Sequence, residues 1–447
     1  MVTKIISCSL FCLAIFSQTP CRAQDSTSHP PTAKWDLQSC LDYAKKNNIQ
    51  INGLRLSEKT SEQEYLLSRA AREPNLTGAV GTTYTHSKNA NPVVGGFQTQ
   101  SSFAATYSLN SSVTLYNGGY LRNDIKEKNL QIQSANLNIV QSENDITLQI
   151  TQAYLNILLA KENIIYIKDL LSSTDSQVVQ SKKQYDAGSI ARNALITIQA
   201  QLANDKYTLV TAQSTERQNK LTLKQLLQLP FRDSFDIVSP DTIISTEAIP
   251  ALEQVENSAL QNRPEIKNGQ TGVNIAQYEL AKARAGLLPS LVASGTIASG
   301  YSNNQTIDYF QQADNNFFQR VGLTLSIPIF TNRVARTNIE NAKIQIDQAK
   351  LNLKNTQTIL AEAIEQAYIN VQNAQGQYDA AVEELKASAE SFRIAGEELK
   401  VGASNQAAYL LQKTLYTQAF QQYIQAKYNA ALNVKIYDFY MGIAIKI

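Results

Sequence analysis

The chain has 447 residues, of which 43% are hydrophobic and only 17% charged, with 40 Lys and Arg against 38 Asp and Glu. That balance lacks the basic footprint of a nucleic-acid binder, and four cysteines are too few for a disulfide-built scaffold. Typical soluble domains are about 25% charged; here Gln and Asn fill the difference, which suits long surfaces facing water.

The N-terminus reads as a secretory signal over residues 1–23. Lys4 supplies the positive start, Ile5 to Phe16 the apolar core, and Cys21-Arg22-Ala23 a small-x-small cleavage site before Gln24. A rival reading makes Cys21 a lipid-attachment site, but Gln18-Thr19-Pro20 lacks the small apolar residues that would precede it. Cleavage removes Lys4 and Arg22 and leaves 38 basic against 38 acidic residues. Cys8, Cys12 and Cys21 fall within the signal, so Cys40 stands alone and is expected to be a small buried apolar residue. Nothing later offers the roughly 20 uninterrupted apolar residues of a spanning helix.

Residues 24–34 read as a flexible leader, and residues 35–230 as a first repeat. It opens with an amphipathic helix from Trp35 to Asn47 and a second from about Ile51 to Arg72, stopped by Pro74. A strand pair follows at about 75–115. Leu76, Val80 and Tyr84 alternate with Thr77, Ala79, Gly81 and Thr83. Phe103, Ala105, Tyr107, Leu109, Val113 and Leu115 alternate with Ala104, Thr106, Ser108, Asn110, Ser112 and Thr114. Ser87 to Ser101, between them, reads as a polar loop. Tyr116-Asn117-Gly118-Gly119 turns the chain into a long helix from Tyr120 to Ala187, on which Ile125, Ile132, Ile139, Ile146, Ala153, Ala160 and Ile167 recur every seven residues. Such a seam keeps facing a partner helix and favours a left-handed supercoil. At 1.5 Å per residue the rod is about 100 Å long. A return helix runs from about Asn193 to Leu229 and ends at Pro230.

Residues 231–251 read as a connector, and the plan repeats over 252–447. Ala44 matches Ala259, Pro74 matches Pro289, Tyr116 matches Phe330, and Gly188 matches Gly402. The offset is 215 before the strand pair and 214 after it, the signature of duplication. The second strand pair is expected at about 290–329 and long helices at about 334–441, with Ile339, Ile346, Leu353, Leu360, Ala367, Ala374 and Ala381 again every seven residues.

The strands carry apolar or aromatic side chains on one face and small polar ones on the other, the pattern of a transmembrane β-barrel. Leu109, Val113, Leu323 and Leu325 are then the lipid-facing residues. A soluble hairpin packed on a helix would alternate in the same way. Four strands cannot close a barrel, and an open edge in lipid leaves backbone groups unpaired, so a barrel needs several chains. Dimers and trimers both satisfy that requirement. The fold class expected is therefore mostly α with transmembrane β: a long antiparallel coiled-coil barrel joined to a β-barrel completed by oligomerisation.

The chain resembles the TolC-type outer-membrane efflux proteins over essentially its whole mature length. The residues that carry the resemblance are Leu115-Tyr116-Asn117-Gly118-Gly119, Leu325-Ser326-Ile327-Pro328-Ile329-Phe330, Tyr185-Asp186-Ala187-Gly188 and Leu399-Lys400-Val401-Gly402, in that duplicated order. The strand-to-helix turns would use Asn117, Gly118, Gly119 and Pro328. The resemblance implies a homotrimer in the cell outer membrane, with a twelve-strand barrel in lipid and a twelve-helix tunnel reaching into the periplasm. It implies a periplasmic adaptor (membrane fusion) protein at the helix tips and an inner-membrane pump of RND, ABC or MFS type beyond it. Gly188, Ser189, Asn193, Gly402, Ser404 and Asn405 are the tip residues expected at the adaptor. The family often closes its entrance with an acidic residue, a Tyr and an Arg; the matching positions here are Ala194, Leu399 and Ser404, which cannot form that network. Asp186, Lys183, Lys400 and Arg192 are the charges left to replace it.

His29 and His86 lack metal-ligand neighbours, Val94-Gly95-Gly96-Phe97 lacks the context of a nucleotide loop, and Glu362, Glu365, Glu383 and Glu384 lie on long helices. No nucleophile–base pair stands out, so no enzyme, metal or cofactor is expected. Two readings result: a passive export conduit of a tripartite system, or an exported periplasmic coiled-coil scaffold without a pore.

Overall fold

In a computed structural model, residues 34–90, 95–230, 235–240 and 249–445 are described. The signal with Cys21, His29 in the leader, Val94 and parts of the connector lie outside them. Among the described residues the elements run α1 (Leu37–Asn47), α2 (Ile49–Ala70), β1 (Thr77–Ala90), β2 (Phe97–Asn117), α3 (Tyr120–Asp186), α4 (Arg192–Leu226), α5 (Leu252–Asn262), α6 (Pro264–Ala285), β3 (Ser290–Ser302), α7 (Tyr309–Asn315), β4 (Phe318–Ser326), α8 (Val334–Lys400) and α9 (Gln406–Met441).

The two rods α3 and α8 are each 67 residues long. Each is flanked end to end by two shorter helices. α2 lies on the first half of α3, where Arg55 pairs with Glu143 at 3.0 Å and Lys128 with Glu64 at 2.7 Å. α4 lies on the second half, where Asn219 reaches the carbonyl of Asn156. In the second repeat α6 and α9 play the same parts on α8. Of the seven-residue seam, Ile139, Ile146, Ala153, Ala160 and Ile167 are buried on α3, and Leu360, Ala367, Ala374 and Ala381 on α8. Small Ala at these positions lets the helix axes approach closely. α6 also lies against α3, so the two repeats share a wall: Lys282 pairs with Asp124 at 2.8 Å and Glu127 at 2.7 Å. Desolvation pushes the Asp124 carboxyl up, but bonds from Lys282 and Ser68 outweigh it and hold it below the usual range.

Trp35 is not helical. It forms a parallel bridge with Ile237, and α1 begins at Leu37 because the Asp36 side chain caps it by accepting from the Ser39 amide. Asp236 takes Lys161 at 2.7 Å and Lys220 at 3.0 Å, and the Tyr154 hydroxyl donates to the Val238 carbonyl at 2.6 Å. These contacts pin part of the connector to the middle of α3. Cys40 is fully buried in the adjoining core, with Leu37, Leu41 and Ala44, and desolvation pushes its thiol up to about 12.

One four-stranded antiparallel sheet, in the order β1-β2-β3-β4, joins the two repeats. The polar stretch Ser87–Ser101, expected as a loop, is mostly strand: β1 continues to Ala90 and β2 starts at Phe97, with Ala90 opposite Phe97. Polar residues suit a hairpin end that lies beyond lipid, because the backbone ladder alone holds it. At about 3.3 Å per residue the 21 residues of β2 span some 70 Å, more than a bilayer is thick. The second pair is shorter than the expected 290–329, because β4 ends at Ser326 and Ile327–Ile329 are outside it. The intervening segment also contains a short helix, α7, capped by the Asp308 side chain. Its Tyr309 ring lies 5.3 Å from Tyr301 and 6.5 Å from Tyr107, so α7 packs on the apolar face of the sheet. Among the described residues no helix is long and apolar enough to cross a membrane.

Candidate functional site

The sheet has two chemically distinct faces, fixed by its register. Leu109 is opposite Gly78 and Ile297, Val113 is opposite Ala293, Ala293 opposite Leu323, and Leu291 opposite Leu325. Directly paired residues share a face. The predicted quartet Leu109, Val113, Leu323 and Leu325 therefore lies on one side, with Val80, Tyr84, Phe103, Tyr107, Ile297 and Val321. Val321 and Leu323 are 88% and 68% exposed, which marks a face the chain itself leaves uncovered. A shift of register between Thr114 and Tyr116 returns Tyr116 to this face beside Leu291.

The opposite face carries Thr77, Asn110, Thr296 and Arg320 in one hydrogen-bonded row. Around it are Ser, Thr, Gly, Ala, Asn and Gln, with Val292 and Phe318. Arg320 is the one charged residue of this face among the described residues, and its guanidinium lies 5.6 Å from the Phe318 ring centroid. Sequence reading missed it because the alternation about Leu323 was not carried back to the start of β4 at Phe318. Carrying the alternation one step back from Gly322 finds it.

Both free edges, β1 and β4, belong to the same sheet, and each strand pair is joined to a long helix by a turn with left-handed backbone. Gly118 and Gly119 have φ of 66° and 83°; Asn332 and Arg333 take φ of 46° and 67° at the corresponding places of the second repeat. A side chain on Gly118 would meet the Ala285 carbonyl oxygen and the Leu288 Cβ at 2.8 Å, so this glycine is required by space as well as by φ. Asn117 closes β2, and its side chain accepts from the Leu121 amide at 3.3 Å. Pro328 lies in the second strand-to-helix connection, between the end of β4 and the start of α8, where a residue without an N–H cannot extend the ladder.

At the far end of the rods, Gly188 and Gly402 have φ of 70° and 75°. Each closes a helix in the same way. Gly188 donates to Tyr185 and Ser189 to Gln184; Gly402 donates to Leu399 and Ala403 to Glu398. This double closure is the Schellman cap, whose left-handed residue favours glycine. Ser189 is exposed in the first tip and Ser404 half-buried in the second. Asn405 caps α9 by accepting from the Ala408 amide at 2.9 Å, whereas Asn193 lies exposed in the first turn of α4. The six predicted tip residues thus fall in two exposed reversals of like geometry.

Behind the tips, α9 is tied to the first hairpin by four polar links that sequence reading did not find. Gln177 bonds the Tyr409 hydroxyl. Lys413 reaches Asp205 at 2.8 Å and Thr174 at 2.5 Å, while Thr174 donates to Asp205. The Tyr166 hydroxyl bonds Thr417 at 3.2 Å, and Lys427 bonds both oxygens of Glu162 at 2.9 Å. Tyr166 also stacks on Phe420, and Phe392 on Tyr416. Desolvation raises the Tyr166 hydroxyl to about 12, despite the opposing bond from Thr417. Of the tip charges named as substitutes, Lys400 bonds Glu397 on its own exposed helix turn at 2.8 Å and does not cross between hairpins. The spacing of Tyr409, Lys413 and Thr417 is one helical turn each, but their partners lie 208 to 251 residues away in sequence.

Among the described residues no group of His, Cys, Asp or Glu could hold a metal ion. His86 lies at a sheet end and bonds the Ser101 hydroxyl at 2.8 Å.

Comparison with known proteins adds four findings. The family model described as outer membrane efflux protein matches residues 40–228 and 255–435. The outer membrane efflux protein BepC of Brucella suis is 23% identical over 370 residues, 82% of this chain and 76% of that protein. Among solved structures, CusC superposes with a TM-score of 0.77 at 18% identity, covering 93% of this chain and 95% of that one. The CmeC outer membrane channel of Campylobacter jejuni does so with a TM-score of 0.77 at 20% identity, covering 91% and 86%.

Proposed function

The chain belongs to the outer membrane efflux protein family, and from that premise we propose that three copies assemble into a passive conduit of a tripartite efflux or secretion system. The family is one of channel proteins of the outer membrane, with a long helical extension into the periplasm. The observation that carries closure by several copies is the sheet, and the count of three follows the family's trimeric channels. Its apolar face is exposed, its other face is polar, and β1 and β4 are free edges. In lipid such edges must be paired, and β4 of one copy against β1 of the next does so in a ring. The apolar quartet Leu109, Val113, Leu323 and Leu325 then faces lipid, and the row of Thr77, Asn110, Thr296 and Arg320 faces the lumen.

The helices continue the barrel as a tunnel wall, and the glycine reversals at Gly188 and Gly402 form its periplasmic end. Exposed backbone and small side chains at Ser189, Asn193, Ser404 and Asn405 suit a periplasmic adaptor that bridges to an inner-membrane pump. The four links from α9 to the first hairpin hold this end together. No step of chemistry is required of the chain, since transport down the conduit would be driven at the pump. The barrel reading separates from the scaffold reading at Leu323. Changing Leu323→Arg costs about 2–4 kcal/mol near the bilayer midplane and should remove the trimer from the outer-membrane fraction. Full assembly of that variant, or recovery of the parent as a soluble periplasmic monomer, would overturn the proposal.

A further inference from the structure

We propose that Arg320 makes the barrel section of the channel selective for anions; the inference rests on the trimeric channel reading above. The register places Thr77, Asn110, Thr296 and Arg320 on the polar face of the sheet, and Thr296 also bonds the Asn110 side chain at 3.0 Å. No Asp, Glu or Lys shares that face among the described residues, so nothing on the sheet neutralises the guanidinium. The Phe318 ring, two residues back on the same face, supports it from one side without removing its charge.

An arginine guanidinium is a permanent cation. Threefold symmetry puts three of them at one height in the barrel. Apart from Phe318, the lumen wall there is Ser, Thr, Asn, Gly and Ala, uncharged groups that solvate either sign of ion. A ring of like charge in a water-filled pore with low-dielectric walls concentrates counter-ions, the arrangement by which Arg rings select anions. The field reaches about 8–10 Å at physiological ionic strength. It therefore covers Thr296, whose position is directly across the strand pair, and fades toward the helical tunnel. The class of solute favoured is anionic, including the carboxylates and sulfonates of amphiphiles. Cationic solutes would be depleted at this level of the pore.

The test reads the local potential rather than whole-channel selectivity, because the periplasmic end sets most of the resistance if it is narrow. Thr296→Cys places a thiol beside Arg320. Cys40 does not compete, since it is fully buried and its thiol is pushed up to about 12. Purified trimers are treated with a negatively charged sulfonatoethyl and a positively charged trimethylammonioethyl methanethiosulfonate, and the two rates are divided. Any change in ionisation of the thiol cancels in that ratio. With Arg320 present, the ratio should exceed that in an Arg320→Gln background by on the order of threefold to tenfold at 0.1 M salt, and should collapse toward the Arg320→Gln value at 1 M salt. Arg320→Lys should keep most of the difference.

Equal ratios with Arg320 and with Gln would overturn the inference while leaving the channel intact. A Leu323→Cys control separates the other failure. If Leu323→Cys reacts in water and Thr296→Cys does not, the faces are reversed and both the channel reading and the inference fall.

Discussion

Lys413 Nζ sits 2.8 Å from Asp205 Oδ2, and the two side chains are 3% and 5% exposed. Gln201 holds the second carboxylate oxygen at 2.7 Å, and Thr174 bridges acid and base. The site joins α3, α4 and α9, so the second hairpin is fixed to the first by a buried charge pair. Removing one partner strands the other in the interior. Lys413→Met should cost about 3–5 kcal/mol in denaturant unfolding, whereas Lys413→Met with Asp205→Leu should recover most of the loss. Additive single-variant losses would show that the pair is not coupled.

The same hairpin tie predicts an electrical effect. Tyr409→Phe removes the hydroxyl bonded by Gln177, the link nearest the tips, and leaves the packing on Phe392 in place. The variant should pass more current per open trimer than the parent, with unchanged trimer mass. Unchanged conductance would show that this link does not hold the entrance.

Acid should loosen the connector in a defined window. Desolvation raises the Asp236 carboxyl, but bonds from Lys161 and Lys220 outweigh it and bring it down to about 2. A carboxyl depressed on folding stabilises the fold above its unfolded value of about 4, and that contribution disappears as pH falls through about 2. Amide protection at Trp35 and Val238, whose N–H groups bond across the bridge, should fall between pH 4 and pH 2. Asp236→Asn should already show the lowered protection at neutral pH and lose the acid step. An acid step that persists in the variant would place its origin elsewhere.

The duplicated turns predict substitutions of opposite sign. Gly118→Ala forces a side chain onto the Ala285 carbonyl at φ 66° and should destabilise by about 1–2 kcal/mol from the backbone alone, with the clash adding to it. Arg333→Gly relieves the same conformation at φ 67° and should be neutral or stabilising by up to about 1 kcal/mol. Thermal unfolding of the two variants in one detergent checks the sign of each.

What the sequence made legible was whatever repeats along it. The seven-residue seam from Ile125 to Ile167 and the match of Gly188 to Gly402 are local periodicities, and the alternation about Leu109 and Leu323 assigned the faces without any knowledge of pairing. Interactions between distant segments were not legible. Nothing in the spacing of Tyr409, Lys413 and Thr417 names Gln177, Asp205 or Tyr166, because buried partners are chosen by the docking of whole hairpins. The Ser87–Ser101 stretch was misread for a related reason: a polar hairpin held by backbone bonds looks like a loop when judged by hydrophobicity. Arg320 was hidden because the alternation was not carried back to the start of β4 at Phe318. The left-handed turn before α8 was hidden by Asn332 and Arg333 standing where the first repeat has glycines.

The unitary conductance of the purified mature protein in a planar lipid bilayer tests the trimeric channel most directly. Insertion of trimers should produce discrete current steps that scale with salt concentration, as a water-filled pore through a shared twelve-strand barrel requires. A membrane that stays sealed after trimers have demonstrably inserted would contradict it.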